Sequence, residues 1–345
     1  GRVTNQTNRQ FSFTQQQLLK YNKKFGKHSL DILAGHETLD RRSDYVSASR
    51  SKMLFDSPYV DHGSILQSNA GGGEDYALEG FLSRVAYDYD SRFYVNVSAR
   101  RDGTSRFHPD VRWGNFYGAG VAWRISQESF LENSTWLNEL KLKASFGQQG
   151  NDAIGYNIPY LTPNSIVLST DTSLPISFVA GSYLGNKNIK WETSTNLNIG
   201  FDSRMFNNRL SVEVEYFKKS ITNMLYNRPI PVSLTGFTVR PENNGDMNNK
   251  GFEVTLSGDL IKSNDFLFSL HFNATSYKNE ITKLPFTGRE NNWQLSGEYR
   301  REETGGAFDY YLREFAGVNP ANGAALFWML IDESDPSAGR MLTEN

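Results

Sequence analysis

The feature that most constrains this chain is a period of two in its apolar residues. In 93–101 the apolar side chains are Phe93, Val95, Val97 and Ala99, with Asn96, Ser98 and Arg100 between them. The pattern returns as Leu210, Val212, Val214 and Tyr216 against Ser211, Glu213 and Glu215. It returns again as Phe252, Val254, Leu256, Gly258 and Leu260 against Glu253, Thr255, Ser257 and Asp259. A further run is Phe266, Phe268, Leu270, Phe272 and Ala274 against Ser269, His271, Asn273 and Thr275. Leu30-Ile32-Ala34, Val85-Tyr87-Tyr89, Tyr117-Val121-Trp123, Leu140-Leu142-Ala144-Phe146 and Leu197-Ile199-Phe201 repeat it, and 9–21 is a weaker member. Successive strand residues point to opposite faces, so this alternation predicts roughly ten β-strands, each with one apolar and one polar face.

Alternation does not say which face is dry. In a soluble sandwich the apolar face packs inward, whereas in a membrane barrel it meets lipid. Three features favour the barrel. Several runs, such as 265–279, exceed the ~5–6 residues usual in globular proteins and reach the ~9–11 that cross a bilayer at a tilt. Connectors alternate short and long: short near 22–27, 88–92, 204–209 and 260–265, medium near 126–136, and long near 41–75, 148–187, 220–248 and 281–310, with a shorter one at 103–112. Hairpins joined in this way put all tight turns at one end and the long loops at the other, as in outer-membrane barrels. Finally, Tyr87, Tyr89, Phe93, Tyr94, Trp123, Trp136, Phe201, Phe206, Phe266 and Phe268 flank the short joins, where an interfacial aromatic girdle belongs.

Composition narrows the alternatives. Hydrophobic residues are 38% of the 345 and mean hydropathy is −0.54, with apolar runs of only a few residues, so no helical span of about 20 residues is present. A net charge of −2 gives no footprint for nucleic acid. The absence of cysteine removes disulfide scaffolds and cysteine-ligated zinc. The polar opening Gly1-Arg2-Val3-Thr4-Asn5 carries no signal-peptide core, so an exported protein would begin upstream.

Catalytic and metal patterns dissolve on inspection. His36-Glu37 opens like a zinc-protease motif, but Asp40 stands where the second histidine belongs. Ser49-Arg50-Ser51-Lys52 lacks the companions of a serine–lysine nucleophile. Glu213 and Glu215 share one face about 7 Å apart, a glycosidase-like spacing, yet a polar barrel lining predicts such pairs throughout, and Lys141 with Lys143 makes another. Asp246–Gly251 fails as a calcium loop, because Lys250 sits at a ligand position. No cofactor or metal site and no enzymatic activity are expected.

Specific segments then carry a resemblance. RRDGTSRF at 100–107, WGNFYGAGVAWRIS at 113–126, WLNELKLKASFGQQGN at 136–151, IKWETSTNLNIGFD at 189–202, NNGDMNNKGFEV at 243–254 and FAGVNPANG at 315–323 follow in the order of the barrel of SusC-like (RagA-type) TonB-dependent outer-membrane transporters, and HSLDILAGHE at 28–37 fits upstream. The resemblance covers nearly the whole chain. It implies an all-β, antiparallel transmembrane barrel, with residues 1–345 forming part of one barrel domain in the bacterial outer membrane. By the same resemblance the function is uptake of an oligosaccharide or oligopeptide, with a SusD-like surface lipoprotein over the mouth, TonB acting from the periplasm, and membrane lipid around the wall. The family's N-terminal plug and TonB-engaging segment are not recognisable, and roughly ten strands fall short of the ~22 in such barrels. The chain therefore reads as the middle of a longer polypeptide, whose two open sheet edges lipid would not tolerate.

Within that frame Asp102-Gly103 reads as the start of a tight loop, Gly251 as relief of strain where a strand is re-entered, and Trp191 as an interfacial ring. Substrate contacts are expected from loop aromatics: Tyr45 and Tyr59, then Tyr156, Tyr160 and Tyr183, then Tyr226 and Phe237. The alternatives are a soluble or surface-attached all-β binding module, such as an adhesin or glycan-binding protein, and a passive porin.

Overall fold

The computed structural model describes residues 1–156, 158–162, 164–167, 177–180, 183–284, 293–331 and 339–344. Its strands are β1 (Arg2–Phe25), β2 (His28–Met53), β3 (Gly63–Tyr89), β4 (Phe93–Thr104), β5 (Trp113–Arg124), β6 (Leu137–Asn151), β7 (Asn164–Val167), β8 (Ser177–Ala180), β9 (Glu192–Met205), β10 (Leu210–Thr222), β11 (Leu225–Pro229), β12 (Val239–Asn243), β13 (Asp246–Lys262) and β14 (Leu267–Lys283). The only α-helix among the described residues is α1 (Val232–Thr235). Ten strands make one sheet in the order β1-β2-β3-β4-β5-β6-β9-β10-β13-β14. From β1 to β13 its neighbouring strands pair antiparallel, so the sheet is a run of consecutive hairpins. The expected all-β antiparallel architecture is what the molecule has, and no described helix is long and apolar enough to cross a membrane.

The short joins fall where the alternation lapses. Gly26 opens the two-residue β1–β2 turn at φ +57, and Asp90 and Ser91 in the three-residue β3–β4 turn hold φ of 56 and 53, the left-handed conformation that tight hairpins between right-twisted strands favour. Phe206, Asn207 and Asn208 do the same at the β9–β10 turn, and 263–266 joins β13 to β14. Cross-strand register builds the aromatic row beside these turns. Phe25 stacks on His28 at 5.1 Å, His28 meets Tyr89 at 5.0 Å, and Phe93 stacks on Trp123 at 5.9 Å.

Register also lines up the two faces from strand to strand. Tyr87, Val95, Val121, Ala144, Ile199, Tyr216 and Phe252 are consecutive cross-strand partners on one face. One residue along, Ala86, Asn96, Gly120, Ser145 and Asn198 occupy the other. The apolar face is bare: Val97 is 50% exposed, Val121 53% and Ile199 51%. A soluble sandwich would cover that face; a barrel wall leaves it to lipid.

Strand pairing runs further than the alternation predicts. The stretch 41–75, read from sequence as a loop, stays in the ladder from Arg41↔Tyr76 to Met53↔Gly63, and only 54–62 leave it. Likewise β1 has 24 residues, all but one of them exposed, rather than the short weak strand of 9–21. The physical reason is common to both. Where a strand has water on both sides there is no apolar parity to read, and backbone hydrogen bonds alone hold the pairing. The loop expected over 148–187 begins only after Asn151 and contains the β7–β8 hairpin, and that over 220–248 contains β11, α1 and β12.

Contacts divide the chain into Gly1–Lys278 and Asn279–Asn345. The second unit, which begins within the last turn-distal residues of β14, holds a hairpin of β15 (Gln294–Ser296) and β16 (Tyr299–Arg301). It also holds a three-stranded antiparallel sheet of β17 (Glu314–Val318), β18 (Ala325–Leu330) and β19 (Arg340–Thr343).

Candidate functional site: the polar face and its loop layer

The polar face carries charge in compensated groups. On β6, Lys143 Nζ reaches Glu213 at 2.5 Å, Asp202 at 2.9 Å and Glu215 at 3.6 Å. The Glu213–Glu215 pair is thus held by a lysine between them, which suits a lining and not an acid–base pair. Beside it Asp31, Tyr94, Asn96, Asn198 and Glu215 line a depression of about 420 Å³. Farther from the turns, Arg100 binds Asp102 through Nε at 2.7 Å and approaches Glu37 at 3.4 Å. Asp102 is buried within β4. Gly103, expected in a loop, is in β4 opposite Trp113, and a Cβ there would lie 2.9 Å from the indole. Its glycine serves the close approach of a ring, not a positive φ. Gly251 is in β13, where a Cβ would lie 2.8 Å from Tyr277 Cα, so here too the cause is crowding.

Over the loop end of this face lies a small dry core. Phe107, Phe116, Ile154, Ile189 and Trp191 are buried together, with Leu78, Val111, Tyr156, Tyr160 and Leu225 packed around them. Trp191 meets Phe107 and Phe116 edge-on at 5.7 and 5.6 Å, and its Nε1–H donates to the Arg112 carbonyl at 2.7 Å. Trp191 is therefore the centre of this core rather than an interfacial ring. Room for it comes from Gly114 and Gly150; a Cβ at Gly114 would lie 2.6 Å from Phe116 and 2.9 Å from Trp191.

A second node fastens the same loops. Asp152 accepts from Thr104 Oγ1 at 2.6 Å, Tyr76 OH at 3.0 Å and Arg106 Nη1 at 3.3 Å, and the Arg106 guanidinium lies 4.7 Å over the Tyr76 ring. Burial, with Asp152 beside it, pushes the Tyr76 phenol up to about 12. Residues from β3, β4 and the β4–β5 connection thus converge on one carboxylate in the connection after β6. The 183–191 segment is tied in turn to β12, through Leu184 N–H to Val239 O at 2.9 Å and Asn186 Nδ2 to Pro241 O at 3.0 Å.

Three of the seven aromatic residues singled out in the sequence are brought together here. Tyr156 and Tyr183 lie 4.0 Å apart, Tyr183 is buried with its hydroxyl donating to Ile158 O at 3.0 Å, and Tyr160 meets His108 edge-on at 5.7 Å. Tyr226 lies in β11 opposite Glu242, and Phe237 follows α1 with its N–H bonded to Thr235 Oγ1 at 3.2 Å. Tyr45 and Tyr59 belong to the β2–β3 hairpin. Tyr45 lines a groove of about 620 Å³ with Arg9, Asp44, Gly72 and Glu74, and Tyr59 is exposed against His62. Sequence reasoning missed Phe107, Phe116, Ile189 and Asp152, because their neighbours come from distant segments; the paired Gly114 and Gly150 were the available signal. Among the described residues no three His, Asp or Glu side chains are grouped to hold a metal ion.

The profile of the TonB dependent receptor-like β-barrel family matches residues 1–336. The chain belongs to that family. Among similar curated proteins, TonB-dependent receptor P39 of Formosa agariphila is 32% identical over 282 residues, 79% of this chain and 26% of that protein. TonB-dependent receptor SusC of Bacteroides thetaiotaomicron is 28% identical over 278 residues, covering 77% of this chain and 27% of its own length. Among solved structures, the RagAB peptide transporter superposes with a TM-score of 0.86 at 28% identity, over 100% of this chain and 38% of that one. The chain thus spans about a quarter of the curated relatives it matches. The SusC-like resemblance and the receptor-barrel fold expected from sequence both hold.

Proposed function

We propose that this chain is wall and loop layer of an outer-membrane transporter that imports an oligomeric nutrient through the barrel, energised by TonB from the periplasm. The observation that carries the reading is the two-faced sheet: a bare apolar face opposite a face of compensated charge, with loops folded over one end of the latter. That combination suits a barrel wall with a polar interior. The long connections then face outward from the cell and the short turns face the periplasm. The SusD-like lipoprotein would sit over the loops, and Tyr45, Tyr59, Tyr156, Tyr160, Tyr183, Tyr226 and Phe237 are the candidates for substrate contact.

For the substrate, an oligopeptide is the first choice, because the neighbour superposing over the whole chain is a peptide transporter. An oligosaccharide is the competing choice, since exposed tyrosines suit sugar rings equally. Uptake of fluorescent oligopeptides and oligosaccharides by cells with and without the gene, with and without a protonophore, tests all three parts. Energy-dependent peptide accumulation that requires the gene is expected. Accumulation of sugars alone would reassign the substrate, and accumulation insensitive to the protonophore would refute coupling to TonB.

A further inference from the structure

Charge on the two faces is handled differently. On the polar face Lys143 is met by three carboxylates. On the apolar face Lys218 of β10 stands directly opposite Lys250 of β13, and both are exposed. Their parity is that of Val212, Val214 and Tyr216 on β10 and of Phe252, Val254 and Leu256 on β13. Among the described residues no ion pair joins a carboxylate to Lys218 or Lys250. Like charges placed directly across a ladder are destabilising, so the arrangement calls for an anion from outside the chain.

The height of the row says which anion. Lys218 is eight residues from the turn end of β10 at Leu210, or about 27 Å along the strand and roughly 20 Å of height at the ~40° tilt of such barrels. The apolar band of these proteins is about 25 Å tall, so the lysines sit near its loop-side boundary. From there a lysine stem lies along apolar surface while its ammonium reaches the headgroup layer. The residues one step farther, Ser220 opposite Asn248, are neutral and polar.

We propose that Lys218 and Lys250 bind the phosphorylated headgroup of a lipid in the leaflet on the loop side. Strands are ~4.8 Å apart, so the two ammonium groups can converge on one phosphate. The proposal rests on the outer-membrane reading and adds to it a lipid that the wall selects.

The test uses the transporter purified from its native membrane and reconstituted in phosphatidylcholine nanodiscs. The discs are doped either with a phosphorylated glycolipid (lipopolysaccharide) or with the same lipid after phosphatase treatment, and bound lipid is read by native mass spectrometry. Wild type should retain the phosphorylated form about tenfold or more over the dephosphorylated one. The double variant Lys218→Gln/Lys250→Gln should lose roughly 30-fold in retention while its heat-modifiable migration is unchanged. Lys219→Gln, on the opposite parity, should change nothing. Equal retention of both lipids by wild type overturns the proposal whatever the variants do. So does unchanged retention in the double variant, or full displacement by millimolar inorganic phosphate, which would mark a free-phosphate site. A protein that stays dispersed without detergent would instead refute the membrane reading, before any lipid is added.

Discussion

A charge introduced at Val97 should be far more harmful than one introduced next door at Asn96. Val97 pairs with Val85 and Ala119 on the apolar face and is 50% exposed there. It lies four residues into β4 from Phe93, about 13 Å along the strand and roughly 10 Å of height at ~40° tilt, close to the middle of a ~25 Å apolar band. Arginine at a barrel midplane costs about 2–4 kcal/mol, and near an interface about 0–1. Val97→Arg should therefore lose most of that larger figure, whereas Val95→Arg, two residues nearer the turn, should lose about 1 kcal/mol. Asn96 points to the polar face, where it lines the depression that also contains Asp31 and Glu215, so Asn96→Arg should be nearly neutral. Ser98 is a poorer control, since Arg84 is its cross-strand partner and Arg100 is two residues on. Urea titration of the transporter in phospholipid vesicles, scored by heat-modifiable gel migration, measures all three variants. Equal losses at Val97 and Asn96 would refute the assignment of faces.

Asp152→Ala should strip partners from Thr104, Tyr76 and Arg106 and cost about 1–3 kcal/mol, read as earlier limited proteolysis of the 152–162 loop with the sheet intact. Unchanged proteolysis would show that this carboxylate fastens nothing. Tyr76 lies 13 residues from the turn end of β3, beyond the spanning segment. Because its phenol is raised from 10.0 to about 12, the folded state binds more protons in between. Its contribution to stability should be full below about pH 10 and lost as pH climbs toward 12. Tyr76→Phe should remove that loss, and identical alkaline denaturation of the two proteins would contradict it. For orientation, Ser233→Cys in the β11–β12 connection should react with an impermeant maleimide on intact cells and Ser91→Cys should not; the reverse pattern would invert the topology.

The parts of the fold legible in sequence are those where two environments meet at one strand. Phe93 to Ala99 alternates because lipid and a polar lining lie on either side, and Asp90-Ser91 marks the turn because the alternation stops there. Where both sides are alike the signal disappears. Arg2–Gln10 and Ser43–Ser51 carry no apolar residues of one sustained parity, so their pairing with each other went unread although the backbone ladder is complete. The loop layer was legible only as a set of aromatic residues. That the Tyr156 and Tyr183 rings meet is not written in their spacing of 27, and that Trp191 packs edge-on against Phe116 depends on Gly114 and Gly150 coming from separate strands. The charge lining was readable in kind, as alternating Glu213 and Glu215, but its neutraliser Lys143 lies 70 residues away and joins them only through register.

The central claim, that one face of this sheet meets lipid and the other an aqueous lining, is tested most directly by spin-label accessibility. The chain has no cysteine, so single cysteines can be placed at each position of 94–98 and 211–216 and labelled with a nitroxide in the membrane-embedded protein. Oxygen concentrates in lipid and a nickel chelate in water. The account predicts period-two curves of opposite phase, with oxygen peaking at Val95, Val97, Val212 and Val214, and nickel at Asn96, Ser98, Glu213 and Glu215. Nickel access that is equally high at both sets would mean that both faces are wet, and would contradict the barrel wall.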